Sequence, residues 1–102
     1  MQIPFIKAHG ARNDFLLTWK DQAPSALFNP AAIARAICDR HSGAGADGWI
    51  LISGDAGPGA DGAIELWNCD GSRSEISGNG TRCAAAVLVD AGLAEDDVRI
   101  AT

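Results

Sequence analysis

The stretch SGNGTRCAAAVLVDAG, residues 77–92, decides how the rest of the chain has to be arranged. Its pattern predicts a helix from about Asn79 to Ala91, stopped by Gly92 in the left-handed conformation that ends many helices. Cys83, Ala84, Ala85, Ala86, Val87, Leu88 and Val89 are apolar on every side of that helix, whereas a surface helix keeps a polar face. The sequence therefore predicts a central helix wrapped by strands. The segment leading into it, Ser77-Gly78-Asn79-Gly80, is a glycine-rich turn.

The elements around this helix follow from alternation and capping. Ile3, Phe5 and Lys7 begin a strand, and Phe15, Leu17 and Trp19 continue the every-other-residue pattern after a turn at His9 to Asp14, which predicts a hairpin. Asn29 followed by Pro30 is an N-cap with proline at the first helical position, and Ile33 and Ile37 lie one turn apart. A helix is expected over 30–40, ending before Gly43. Trp49–Ser53 and Ala63–Trp67 are apolar strand runs joined by an exposed loop, Gly54 to Gly62. Val98 to Thr102 starts a further strand, whose edge calls for cover from another strand, another domain or a second copy.

Bulk properties narrow the functional classes. The chain has 102 residues, a single domain's worth, with a net charge of −5. Its eight Lys and Arg residues form no basic stripe, which argues against nucleic acid as a partner. No apolar run is long enough to span a bilayer, and Met1 to Ala8 lacks the apolar core of a signal peptide, so a cytoplasmic, membrane-free protein is expected. Cys38, Cys69 and Cys83 form no C-x-x-C pair, and three cannot all pair with one another, so they are expected to be thiols.

The glycine-rich turn is where chemistry would sit. Glycine lets a ligand approach the backbone, and the start of the following helix carries partial positive charge, an arrangement that binds anions. With Asn68 and Asn79 as added donors, a small carboxylate such as that of an amino acid is a suitable guest. A thiol at position 77 would be acidified by the helix start and could abstract a proton. The residue there is serine, a far weaker acid that needs a partner base. Read without that guest, Ser77 is a helix N-cap and Gly78 relieves crowding.

The segments HGARNDF (9–15), DRHSGAGADG (39–48), NCDGS (68–72) and SGNGTRC (77–83) resemble, in order and spacing, the N-terminal half of the diaminopimelate epimerase family. The resemblance implies an α+β fold with a mixed, barrel-like sheet around a central apolar helix, one of two similar halves enclosing an active site. It implies cofactor-independent epimerase chemistry. Two cysteines, one from each half, flank the substrate α-carbon; one removes its proton and the other delivers a proton to the opposite face. By position Ser77 stands where the family has the first catalytic cysteine. Gly78 and Asn79 match contacts to the α-carboxylate or α-amino end, and Asn13 and Asn68 match polar contacts to the rest of the substrate. Three departures stand out: Arg12 replaces a glycine, Gly48 occupies a position where some members carry a substrate-binding glutamine, and Ser77 replaces the cysteine. The second half is also missing from the sequence. These departures suggest a fragment or engineered half, inactive alone, that partners either a second half-domain or another copy of itself. The competing expectation is a non-catalytic, self-associating module that at most binds a small carboxylate.

Other motifs point elsewhere only weakly. GAGADG at 43–48 fits G-x-G-x-x-G, but it follows a helix and precedes a strand, the reverse of a dinucleotide site. His9 and His41 could assist Ser77 in a hydrolase, yet Glu75 stands where the nucleophile elbow needs glycine. No Cys or His pair has zinc-ligand spacing. The three cysteines are expected in packing roles, and Trp19, Trp49 and Trp67 in the core or at an interface.

Overall fold

In β2 (Asn13–Trp19) every residue from Asp14 to Thr18 is buried, so neither face of this strand meets water. A strand buried on both faces needs a layer above and a layer below. The computed structural model describes residues 3–10, 13–23, 29–54, 60–74, 78–92 and 100–101. β1 (Ile6–Gly10) pairs antiparallel with β2, from Ile6 opposite Leu17 to Gly10 opposite Asn13. The predicted hairpin is present, with pairing that runs past His9 and Asp14 and leaves only residues 11 and 12 between the strands.

β3 (Gly48–Ser53) pairs parallel with β2, Phe15 opposite Gly48 and Trp19 opposite Ile52. A parallel neighbour requires a crossover, and α1 (Pro30–Cys38) supplies it. β4 (Gly62–Asn68) runs antiparallel to β3, with Asn68 opposite Gly48. The other side of β4 is shared by two short strands. β5 (Arg73–Ser74) pairs antiparallel with Leu66 and Trp67, and β6 (Ile100–Ala101) pairs parallel with Gly62 and Ala63. The strand predicted near the end of the sequence is thus found at Ile100–Ala101, paired to β4, while residues 98, 99 and 102 lie outside the described residues.

The two helices take opposite faces of the sheet. Phe15, Leu17, Ile50, Ile52, Ile64 and Leu66 meet Cys83, Ala84, Val87 and Leu88 of α2 (Gly78–Asp90). Leu16, Trp49 and Leu51 meet Ala34 and Cys38 of α1. The fold is mixed α+β. Each fully buried Leu or Ile contributes roughly 1.5–3 kcal/mol from apolar burial, so the central strands β2 and β3, apolar on both faces, anchor the domain. α2 differs from the sequence reading in one respect. Cys83, Ala84, Val87 and Leu88 form a buried strip, but Ala86 and Val89 are exposed, and among the described residues strands cover this strip alone.

Local chemistry explains the helix limits. Asn29 is extended and its side-chain oxygen accepts from Ala32 N at 3.3 Å, the predicted N-cap. α1 ends at Cys38, two residues earlier than expected, because Asp39 is extended and its carboxylate accepts the His41 and Ser42 N–H groups at 2.7 and 3.1 Å. α2 ends at Asp90, and Gly92, at φ +77°, donates to Val89 O at 3.0 Å, the predicted left-handed stop. A 3-10 turn at Lys20–Gln22 and the two-residue β5 had no sequence signal. At the far end of α2, a Cβ added to Gly62 would lie 2.8 Å from Leu88 Cδ1. The last turns of α2 therefore lie over the start of β4, and at the opposite end of that strand Asn68 pairs with Gly48.

Candidate functional site

Three of the four motif segments, HGARNDF, DRHSGAGADG and NCDGS, meet at that end of the sheet. Gly48 is opposite both Phe15 and Asn68, and Asn13 is two residues further out along β2. Strand spacing of about 4.8 Å and a rise of about 3.3 Å per residue put the Asn13 and Asn68 backbones about 12 Å apart.

Their local structure is fixed by a charged network. Asp14 is buried, and a buried carboxylate needs partners. The Arg40 guanidinium grips it as a fork, Nη2 to Oδ1 at 2.9 Å and Nη1 to Oδ2 at 3.2 Å, and Lys7 Nζ stands 3.6 Å from Oδ2. The hydrogen bond from Arg40 holds the Asp14 carboxyl well below the usual carboxylate range; burial opposes this and the Asp47 N–H adds to it. Asp14 in turn holds Arg40 charged.

Asp47 joins the segments. Its N–H is shared between Asp14 O and Asp14 Oδ1, both at 3.0 Å, and its carbonyl accepts Cys69 N at 3.1 Å. One carboxylate oxygen accepts Arg40 Nη2 at 3.2 Å; the other accepts Asp14 N at 3.0 Å and Asn13 Nδ2 at 3.4 Å. The turn after β4 closes on itself. Asn68 N donates to Ser72 O at 2.8 Å, Asn68 Nδ2 donates to Ser72 Oγ at 2.9 Å, and Gly71 N donates to Asn68 O at 2.9 Å. Ser72 hydrogen bonds lower the Asp70 carboxyl. Gly71, at φ +89°, brings this turn against α1, since a Cβ there would lie 2.8 Å from Ala31 O.

Of the residues singled out from sequence, Asn13 and Asn68 stand at this end of the sheet, the first exposed and the second half-buried. Gly78 opens α2 and Asn79 is its second residue, so both belong to the helix turn that carries the positive end of the dipole. The Asn79 side chain, Arg12 and Ser77 lie outside what is described. Sequence reading missed Lys7, Asp14, Arg40 and Asp47; the signal was opposite charges standing inside the first two motifs. GAGADG links α1 to β3, with Gly45 at φ +78°, the order expected for a pocket-shaping loop and not for a dinucleotide site.

The cysteines divide by burial. Cys38 is pushed up to about 11 by burial, and burial also raises Cys83, so both are inert packing thiols. Cys69 is exposed, which corrects the packing role expected for it. Trp49 is fully buried and donates Nε1 to Thr18 Oγ1 at 2.9 Å; Trp67 donates to Glu65 at 2.8 Å. Among the described residues no helix is long and apolar enough to cross a membrane. A cleft of about 490 Å³ lies at the opposite end of the sheet between Trp19, Gln22, Ile52, Ser53 and Ala91. Its charged member is Asp21, so its described lining offers no cation to a carboxylate. The motif end of the sheet is the better candidate site on chemical grounds.

Comparison with known proteins places the chain in a family. The model of the diaminopimelate epimerase family matches residues 5–102. The chain is 42% identical over 103 residues to a diaminopimelate epimerase of Synechocystis sp., covering 100% of this chain and 36% of that protein. It is 40% identical to one from Pelotomaculum thermopropionicum, covering 96% and 35%, and 43% identical to an O-ureido-serine racemase of Streptomyces lavendulae, covering 90% and 31%. The chain thus spans about a third of the length of these relatives. The crystal structure of a methylitaconate-delta-isomerase superposes with a TM-score of 0.79 at 13% identity, over 98% of this chain and 31% of that one, a likeness of fold.

Proposed function

The chain belongs to the diaminopimelate epimerase family, and from that premise we propose that residues 1–102 form one domain that supplies one wall of an amino-acid epimerase or racemase site. The observation that supports the reading is that Asn13 and Asn68 stand at one end of the sheet, while Gly78 and Asn79 form the first turn of α2. Gly78 and Asn79 would receive the α-carboxylate, where the helix dipole also stabilises charge developing as the α-proton leaves. Asn13 and Asn68 would hold the rest of an α-amino acid, with diaminopimelate as the first choice of substrate. Inverting the α-carbon takes a base on one face and an acid on the other. Ser77 would stand at the base position with a hydroxyl in place of a thiol, and the opposing acid would come from the second half. No cofactor is needed for this proton transfer.

On this reading the chain alone is inactive, and α2 becomes the core of a barrel-like sheet once its exposed strip at Ala86 and Val89 is covered. The exposed apolar residues Phe5, Ile6 and Val89 suit a surface that meets a second half-domain or a second copy. The test joins this chain, carrying Ser77→Cys, to the complementary half of the Synechocystis relative and follows solvent deuterium entering the α-carbon of diaminopimelate. Exchange in the Ser77→Cys variant and none with serine in place is the expected result. No exchange in either, from a folded and correctly assembled protein, would count against the assignment.

A further inference from the structure

We propose that Arg40 is a positioning residue of this site, acting through Asp47 to fix the Asn13 side chain and the main chain beside Asn68; the inference rests on the epimerase reading above. Asp14 by itself would satisfy the guanidinium fork, taking Nη1 and Nη2 on its two oxygens. Stability alone would need no more than that. The extra bond from Nη2 to Asp47 Oδ1 at 3.2 Å sets the rotation of the Asp47 carboxylate, so that Oδ2 faces Asn13 Nδ2 at 3.4 Å and Asp14 N at 3.0 Å. Asn13 is exposed, and an exposed amide without such an anchor samples several rotamers and must be ordered when a ligand binds. The carbonyl of the same Asp47 accepts Cys69 N at 3.1 Å, next to Asn68 in the chain.

One residue therefore registers two substrate-facing amides that belong to different strands. The guanidinium suits this task because its rigid fork serves two carboxylates at once, whereas a lysine ammonium at the same place is a flexible point charge. The arrangement spans three of the four motifs, since Asp14 comes from the first, Arg40 and Asp47 from the second and Cys69 from the third.

The test is NMR of the 15N-labelled 102-residue chain and its Arg40→Lys and Arg40→Gln variants, free and with diaminopimelate. In both variants the Asn13 side-chain amide is expected to move toward the shift and mobility of a solvated amide. The Cys69 N–H is expected to exchange about tenfold faster, while Ile52 and Leu88, at the far end, keep their signals. Diaminopimelate should bind about fivefold to tenfold more weakly. A role in stability alone would lower the melting temperature and leave the Asn13 signal in place, which overturns the proposal. Should either variant fail to fold, Asp47→Asn, which keeps the Arg40 to Asp14 fork, is expected to release Asn13 in the same way; an unmoved Asn13 signal there also overturns it. If diaminopimelate shifts none of Asn13, Asn68 or Gly78 in the parent chain, the epimerase reading itself fails and the substrate role of Arg40 falls with it. Shifts in the parent with unaltered Asn13 and Cys69 signals in the variants defeat Arg40 alone.

Discussion

Gly62→Ala tests the packing of the last turns of α2 on β4. The added Cβ would lie 2.8 and 2.9 Å from the two Leu88 methyls and 3.0 Å from Ser53 O. Carbon pairs rest at about 3.5–4.0 Å, so the helix and β4 must separate by about 0.7–1 Å or Leu88 must leave its rotamer. Overpacking of this kind costs about 1–3 kcal/mol. Loss of glycine's freedom in the unfolded chain returns about 0.4–1 kcal/mol. The net expectation is a destabilisation of about 1–2 kcal/mol, which for a domain of this size lowers the melting temperature by about 4–8 °C for each kcal/mol. Urea and thermal unfolding followed by tryptophan fluorescence measure it. The decisive arm is the double-mutant cycle with Leu88→Val, whose shorter side chain withdraws the two clashing methyls. In that background Gly62→Ala should be neutral or slightly stabilising. An equal loss in both backgrounds would refute the close approach of α2 to β4.

Other perturbations read different parts of the molecule. Arg40 holds the Asp14 carboxyl below its ordinary 3.8, so this interaction stabilises the fold above about pH 4 and is lost as the pH falls below it. Urea midpoints should therefore decline more steeply below about pH 4 in the parent than in Asp14→Asn, and parallel declines would dismiss the pair as a contributor. Alkylation at about pH 8 should modify exposed Cys69 long before Cys38 and Cys83, whose thiols are raised by burial; peptide mapping that finds Cys38 first would contradict the packing. Gly71→Ala forces a side chain onto φ +89° and against Ala31 O, and should cost more than about 1 kcal/mol. An unchanged midpoint would show that the turn bearing Asn68 does not lean on α1.

The elements could be read from the chain because local rules governed them. Asn29 with Pro30, Gly92 after an apolar run, and alternation from Phe15 to Trp19 each fix a boundary through a contact between near neighbours. The arrangement of the sheet was less legible. The parallel pairing of β2 with β3 depends on α1 crossing over, and nothing in either strand encodes its neighbour. α2 read as apolar on all sides because alanine fits an exposed position as well as a buried one; the structure puts Ala84 inside and Ala86 outside. For the site, Asn13, Asn68, Gly78 and Asn79 came from a resemblance; the backbone places Asn13 and Asn68 at one end of the sheet and Gly78 and Asn79 in the first turn of α2. The Asp14, Arg40 and Asp47 network escaped notice because charged residues far apart in the sequence reveal a partnership only after the fold has joined them.

The divided outer side of β4 has a practical consequence. β5 arrives from the adjacent turn, but Ile100 and Ala101 return from more than thirty positions along the chain to close the stretch at Gly62 and Ala63. Trimming the protein before Ile100, an innocuous choice when designing a shorter expression product, would strip those main-chain donors and acceptors of their cover. Neighbouring molecules could then dock there strand to strand, and such a product should precipitate on concentration while the longer one stays dispersed.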